Sequence, residues 1–130
     1  MEFTLTPGTT GHQEITVKPE DTALHYGSGL IEVFATPAMI ALMESTAQLS
    51  IMDQLPGGYI TLGTEISVTH EKATLVGRKV CCESILVKIE GKRLLFNVVA
   101  SDEKGIIGQG THHRYIVEAA VFMQKLTEKS

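Results

Sequence analysis

The chain has 130 residues, 43% of them hydrophobic and 20% charged, which is too little for two independent cores and too apolar for a disordered polymer. Its 11 Lys and Arg against 15 Asp and Glu give a formal net charge of −4. No cationic block interrupts the sequence, so a nucleic-acid partner is not expected.

Residues 13–18 alternate polar and apolar side chains, with Ile15 and Val17 on one side, and predict a short strand. Pro19 and Asp21 break it, and a loop around Gly27-Ser28-Gly29 follows, with room for a short turn over residues 22–26. Residues 37–53, PAMIALMESTAQLSIMD, predict a long helix. Thr36 is read as its N-cap and Pro37 as part of its first turn. Its first half is apolar all round, the mark of a buried helix. Beyond Pro56-Gly57-Gly58 the period changes to two. Strands are predicted over 59–70 (interrupted at Gly63), 79–90, 93–101 and 106–117, separated at Gly91-Lys92 and at Asp102-Glu103-Lys104-Gly105. A terminal helix over 118–128 closes the chain. The order predicts one α+β domain spanning 1–130, an antiparallel sheet wrapped around a long central helix.

No run approaches the roughly 20 apolar residues that span a bilayer, so no membrane partner is expected. The first ten residues lack the basic and apolar segments of a signal peptide. Cys81 and Cys82 are adjacent, and in a strand they point to opposite faces, an arrangement unsuited to a disulfide. Two reduced thiols and a cytoplasmic location are expected.

Glu44 lies among Ile40, Met43 and Ala47 in the central helix. A carboxylate there must be paired, protonated or in contact with a site, because a bare buried charge costs several kcal/mol; a wet edge is the plainer alternative. His70 ends a predicted strand, where a satisfied surface imidazole is the plain reading. His12, His25, His112 and His113 do not form a metal motif, and the cysteines lack zinc spacing. No metal is expected. Gly108-Gln109-Gly110 falls inside a strand pattern and marks a bulge or a close backbone approach.

Four stretches in sequence order carry a resemblance: Val33-Phe34-Ala35-Thr36-Pro37-Ala38-Met39; Leu42-Met43-Glu44; Leu62-Gly63-Thr64 with Val68-Thr69-His70; and Gly108-Gln109-Gly110-Thr111-His112. Together they resemble the hotdog-fold thioesterases of the fluoroacetyl-CoA thioesterase-like family. The resemblance implies a hotdog fold, cleavage of acyl-CoA thioesters by Thr36, Glu44 and His70, and Gly63 against the acyl group. It also implies homodimers with the site at the subunit interface. No cofactor is implied, since coenzyme A arrives as part of the substrate. The fluoroacetate-specific member has an aromatic gate in the loop before the threonine. Leu30 stands there in this chain, so fluoroacetyl selectivity is not carried over.

Helix geometry adds constraints. The amides from Ala38 onward are candidate donors to a carbonyl or oxyanion, Pro37 having none. Thr36 and Glu44 are eight residues apart, about 12 Å along a straight helix, so Thr36 is expected to face Glu44 of a partner subunit across a two-fold axis. Whether Glu44 attacks the carbonyl or activates water stays open. The CoA phosphates need cations; Lys92, Arg93 and Arg114 are the candidates, with Arg78 and Lys79 behind them. A non-catalytic acyl-CoA-binding module is the alternative function. A dehydratase of this fold would carry an Asp and His close in sequence, and no Asp-x-x-x-x-His is present.

Overall fold

The computed structural model describes residues 3–129. The elements are β1 (Thr10–Thr16), a 3-10 turn Pro19–Asp21, α1 (Ala23–Tyr26), α2 (Thr36–Ile51), a 3-10 turn Met52–Gln54, β2 (Tyr59–His70), β3 (Lys79–Glu90), β4 (Arg93–Asp102), β5 (Gly105–Glu118) and α3 (Ala119–Lys129). The strands form one antiparallel sheet in the order β1-β3-β4-β5-β2. The sheet curves around α2, which packs against β1, β3 and β4. Register shifts at Gly63/Glu65, Leu86/Lys88 and Ala100/Ser101 add local twist.

Alternation explains the core. Leu94, Phe96, Val98 and Ala100 are each 0% exposed on one face of β4. They meet Met39, Met43, Ala47 and Ile51 of α2, all equally buried. Truncating a side chain such as Phe96 to Ala would cost roughly 3–5 kcal/mol. Close approach of β1 to α2 depends on Gly11, where a Cβ would stand 2.6 Å from Ser84 Oγ and 2.8 Å from the Thr46 carbonyl.

Three expectations are corrected. The N-cap of α2 is Ala35, extended at φ −75° and ψ 143°, and Thr36 is already the first helical residue with no capping bond. The first half of α2 is not buried all round: Ala38, Met39, Leu42 and Met43 are, but Ala41 is exposed and Ile40 half-buried. The first strand begins at Thr10, because pairing from Thr10↔Ile85 to Thr16↔Lys79 carries it beyond its alternating segment. The two cysteines are free, Cys82 buried and Cys81 half-buried. Among the described residues no helix is long and apolar enough to cross a membrane.

Candidate active site

The start of α2 is fixed from two sides. The Phe34 N–H donates to the Thr74 carbonyl at 2.8 Å, and the Ala35 N–H donates to the Asp21 carbonyl at 2.9 Å. This leaves Thr36 projecting at the first turn. His70 closes β2 opposite Gly108, and the next residue is held by a 2.6 Å bond from the Glu71 N–H to the Ile107 carbonyl. The two anchored ends bring Thr36 Oγ1 to 2.8 Å from His70 Nδ1.

The His70 ring stands edge-to-face with Phe34, centroids 6.4 Å apart, and its Nε2 is buried without a hydrogen-bond partner. Burial lowers the His70 pKa, opposed by the Lys72 backbone. A neutral imidazole is therefore favoured, able to accept the Thr36 hydroxyl proton. A cleft of about 360 Å³ opens here, lined by Ser28, Phe34, Thr36, His70, Lys72 and Ala73 among others. Among the described residues, the N–H groups of Thr36 and Ala38 have no acceptor, as expected at a helix start.

Glu44 sits further along α2, above the middle of β2. A Cβ added to Gly63 would stand 2.6 Å from Glu44 Oε2, 3.1 Å from His112 Cε1 and 3.3 Å from Arg114 Nη1. The four residues thus form one polar cluster under the helix. Arg114 donates through Nε to Thr61 Oγ1 at 2.7 Å, through Nη2 to the Thr61 carbonyl at 2.9 Å, and through Nη2 to Gln48 Oε1 at 3.3 Å.

Arg114 Nη1 lies 3.0 Å from His112 Nε2. Guanidinium can only donate, so Nε2 accepts and the imidazole proton sits on Nδ1, 2.9 Å from the Glu65 carbonyl. Burial above all, with the Arg114 charge and neighbouring His113, lowers the His112 pKa, opposed by the bond to the Glu65 backbone and by the Glu44 charge. His112 is held neutral in one tautomer.

The structure therefore joins Thr36 to His70 but sets Glu44 apart from both within one chain. Gly63 and His70 are seven residues apart in β2, about 23 Å of strand. Ala38 is buried at 8% exposure beside the site, and Leu30 stands in the preceding loop, 91% exposed.

Two expected phosphate ligands are placed elsewhere. Arg114 is 4% exposed, its donors committed inside the cluster rather than to solvent. Arg93 alternates with buried Leu94 and so faces away from α2, near Glu65 Oε1 at 3.7 Å. His112 was not singled out from the sequence, although a signal exists: His112, Arg114 and Ile116 share one parity in β5, and Ile116 belongs to the core. Among the described residues, no group of three or more His, Cys, Asp or Glu stands ready for a metal.

Residues 17–120 match the family described as fluoroacetyl-CoA-specific thioesterase. The chain belongs to this family. It is 39% identical over 99 residues to the fluoroacetyl-CoA thioesterase of Streptantibioticus cattleyicolor, covering 76% of this chain and 71% of that protein. A solved structure of the fluoroacetyl-CoA thioesterase FlK superposes with a TM-score of 0.90 at 34% identity, over 97% of this chain and 98% of that one. A hot-dog-like protein from Thermanaerovibrio acidaminovorans, 22% identical, superposes with a TM-score of 0.88 over 96% of this chain and 93% of that one, which shows the hotdog fold. The family member described here is an acyl-CoA thioesterase.

Proposed function

We propose that the chain hydrolyses the thioester of a small or short-chain acyl-CoA at a site shared by two protomers, with Thr36 and His70 from one and Glu44 from the other. The observation that carries this reading is the 2.8 Å contact between Thr36 and His70 at the mouth of a cleft whose own carboxylate, Glu71, is engaged by Thr69 and Gln109. β2 is an edge strand of 12 residues with its outer side unpaired. Such an edge invites pairing. Antiparallel pairing of β2 with its own copy runs the His70 end of one strand back alongside the Gly63 region of the other, where Glu44 waits. The exposed stripe of α2, with Ala41 and Leu49, continued by Met52 in the turn that follows, is then available for burial in the same interface.

The chemistry follows from these positions. The free amides of Thr36 and Ala38, at the positive end of α2, receive the thioester carbonyl oxygen as it gains negative charge. Thr36 adds its hydroxyl, oriented by His70. The Glu44 carboxylate either takes a proton from water, whose oxygen bonds to the carbonyl carbon, or bonds to that carbon itself and is released by water. In both routes the C–S bond breaks, the CoA thiolate gains a proton, and the products are the free acid and CoA. Gly63 leaves only a hydrogen beneath Glu44, which suits a small acyl group. Leu30 in place of an aromatic gate speaks against selectivity for fluoroacetyl. The reduced thiols fit a cytoplasmic setting.

Release of free thiol from a panel of acyl-CoAs tests the reading. Wild type turns over short acyl-CoAs, and Thr36→Ala, Glu44→Ala and His70→Ala each lose activity. Tight binding without turnover in wild type would favour the non-catalytic module. Full activity in all three variants would refute the site.

A further inference from the structure

Gly63 and His70 are seven positions apart in one strand. Positions an odd number apart face opposite sides of a regular strand, yet both of these face α2. Gly63 lies under Glu44, two residues after the buried Thr61. His70 meets Thr36 and Phe34, and Ile66 and Val68 before it pack against the core. The inward positions of β2 are thus odd-numbered as far as Gly63 and even-numbered from Ile66 onward. No such change occurs in β5, where Arg114, His112 and Gly108 stand opposite Gly63, Ile66 and His70 with one parity throughout.

The switch is a single bulge. Pairing passes from Gly63↔Arg114 directly to Glu65↔His113, so Thr64 is the extra residue. Without the bulge every later side chain of β2 would turn over, His70 included. Within one chain β5 alone sets this register, because β2 lies at the edge of the sheet. On the outer face the bulge is held by Thr64 Oγ1, which donates to the His113 carbonyl at 3.3 Å, and by Glu65 Oε1, 3.5 Å from His113 Nδ1. Exposed contacts of that kind are worth little. On the inner face His112, 1% exposed, donates through Nδ1 to the Glu65 carbonyl at 2.9 Å. Its Nε2 accepts from Arg114, the residue opposite Gly63. One buried ring therefore spans the bulge, tied to the residue after it and to the pair before it.

We propose that His112 is a positioning residue for the thioesterase reaction: its bond to the Glu65 carbonyl locks the Thr64 bulge, and the bulge turns His70 toward Thr36 on the face where Gly63 and Glu44 lie. His112 acts through the backbone of β2 and not on the substrate. Only the kinetic consequence rests on the thioesterase reading; the placement of His70 does not.

Two amide substitutions separate the two ring nitrogens. Asparagine puts its amide near the Nδ1 position and can still donate to Glu65, whereas glutamine reaches the Nε2 position and can still accept from Arg114. Both leave a buried amide, so a residue needed only for packing affects the two variants alike. His112→Asn should keep most of kcat. His112→Gln should lose about a hundredfold, the cost of a displaced reacting group, with little change in KM. The His70 ring gives a second readout by NMR titration. Burial holds its pKa below the ordinary histidine value. It stays there in wild type and in His112→Asn, and rises to about 6.5 in His112→Gln as the ring turns to solvent. Deleting Thr64 places Gly63 and His70 six positions apart, so they share a face with no bulge to hold. In that background His112→Gln should leave the His70 titration low. A rise there, equal kcat in the two single variants, or a His70 titration unmoved in His112→Gln overturns the proposal. If wild type hydrolyses no thioester, the titrations still decide it, since they need no substrate.

Discussion

Glu44 and Gly63 face each other so closely that a methyl group on Gly63 would stand 2.6 Å from the Glu44 carboxylate. The helix position of Glu44 and the strand position of Gly63 are both fixed by the core, and the buried His112 and Arg114 side chains, 3.1 and 3.3 Å from the same methyl, need give only slightly, so the carboxylate moves furthest. Gly63→Ala therefore displaces it. A shift of about 1 Å in a reacting group costs on the order of a hundredfold in turnover. The fold tolerates the change, because the obstructing atom ends a flexible side chain and alanine suits a strand better than glycine by about 0.5–1 kcal/mol. Steady-state kinetics beside a melting curve checks this: kcat falls by about two orders of magnitude with little movement in melting temperature. Unchanged kcat would remove Glu44 from the chemistry.

Thr36 and His70 form the second relationship to test. Thr36→Ala removes the hydroxyl but neither helix amide, so turnover falls by about 10²-fold and does not vanish. Thr36→Ser restores the oxygen and recovers most of the rate. Ala35, not Thr36, caps the helix, so stability barely changes in either variant. A large loss of stability in Thr36→Ala would assign the residue a structural role instead.

Much of this was readable in the sequence, for physical reasons. Strands β2 and β3 fall at the predicted limits because glycine and proline turns bound clean period-two runs. The helix was legible from its Ala, Met and Leu content and from Pro37. Thr36 was misplaced by one position because threonine followed by proline suits both a cap and a first turn; only the Asp21 contact to Ala35 decides between them. The polar cluster was harder to see. Arginine defaults to the surface, and nothing local to Arg114 announces that Thr61, 53 positions earlier, will receive it. His112 was hidden for the same reason, since its partners come from β2 and from two residues onward in β5.

The titration behaviour follows from burial. Burial lowers the pKa of both His70 and His112. In the unfolded chain these histidines protonate near the ordinary value of about 6.5. As pH falls through that value and on through the lower folded values, the unfolded state takes up protons that the folded state resists, and stability is lost. Above about 6.5 both forms are neutral and the contribution is complete. Urea midpoints should thus decline on acidification through this window. Activity behaves in parallel: protonated His70 cannot accept from Thr36, so the acid limb of kcat/KM lies below the ordinary histidine value. His70→Gln shifts or abolishes that limb, and an unchanged limb would exclude His70 as its origin.

Arg114 supplies the last test, because its two possible roles differ in readout. A surface phosphate ligand could be lost with little effect on folding. A buried guanidinium bonded to Thr61, Gln48 and His112 cannot. Arg114→Ala leaves the Thr61 hydroxyl and carbonyl and the His112 Nε2 without their donor, inside a site too enclosed to hydrate freely. The expected loss is roughly 3 kcal/mol of folding stability. Arg114→Lys restores the charge but not the fork that reaches Thr61 and His112 together, so it recovers only part of the loss. The Arg114 donors are committed to Thr61, Gln48 and His112 and not to solvent, so KM for acyl-CoA and acyl-pantetheine should move together in these variants. A selective rise for acyl-CoA alone would return Arg114 to the phosphates.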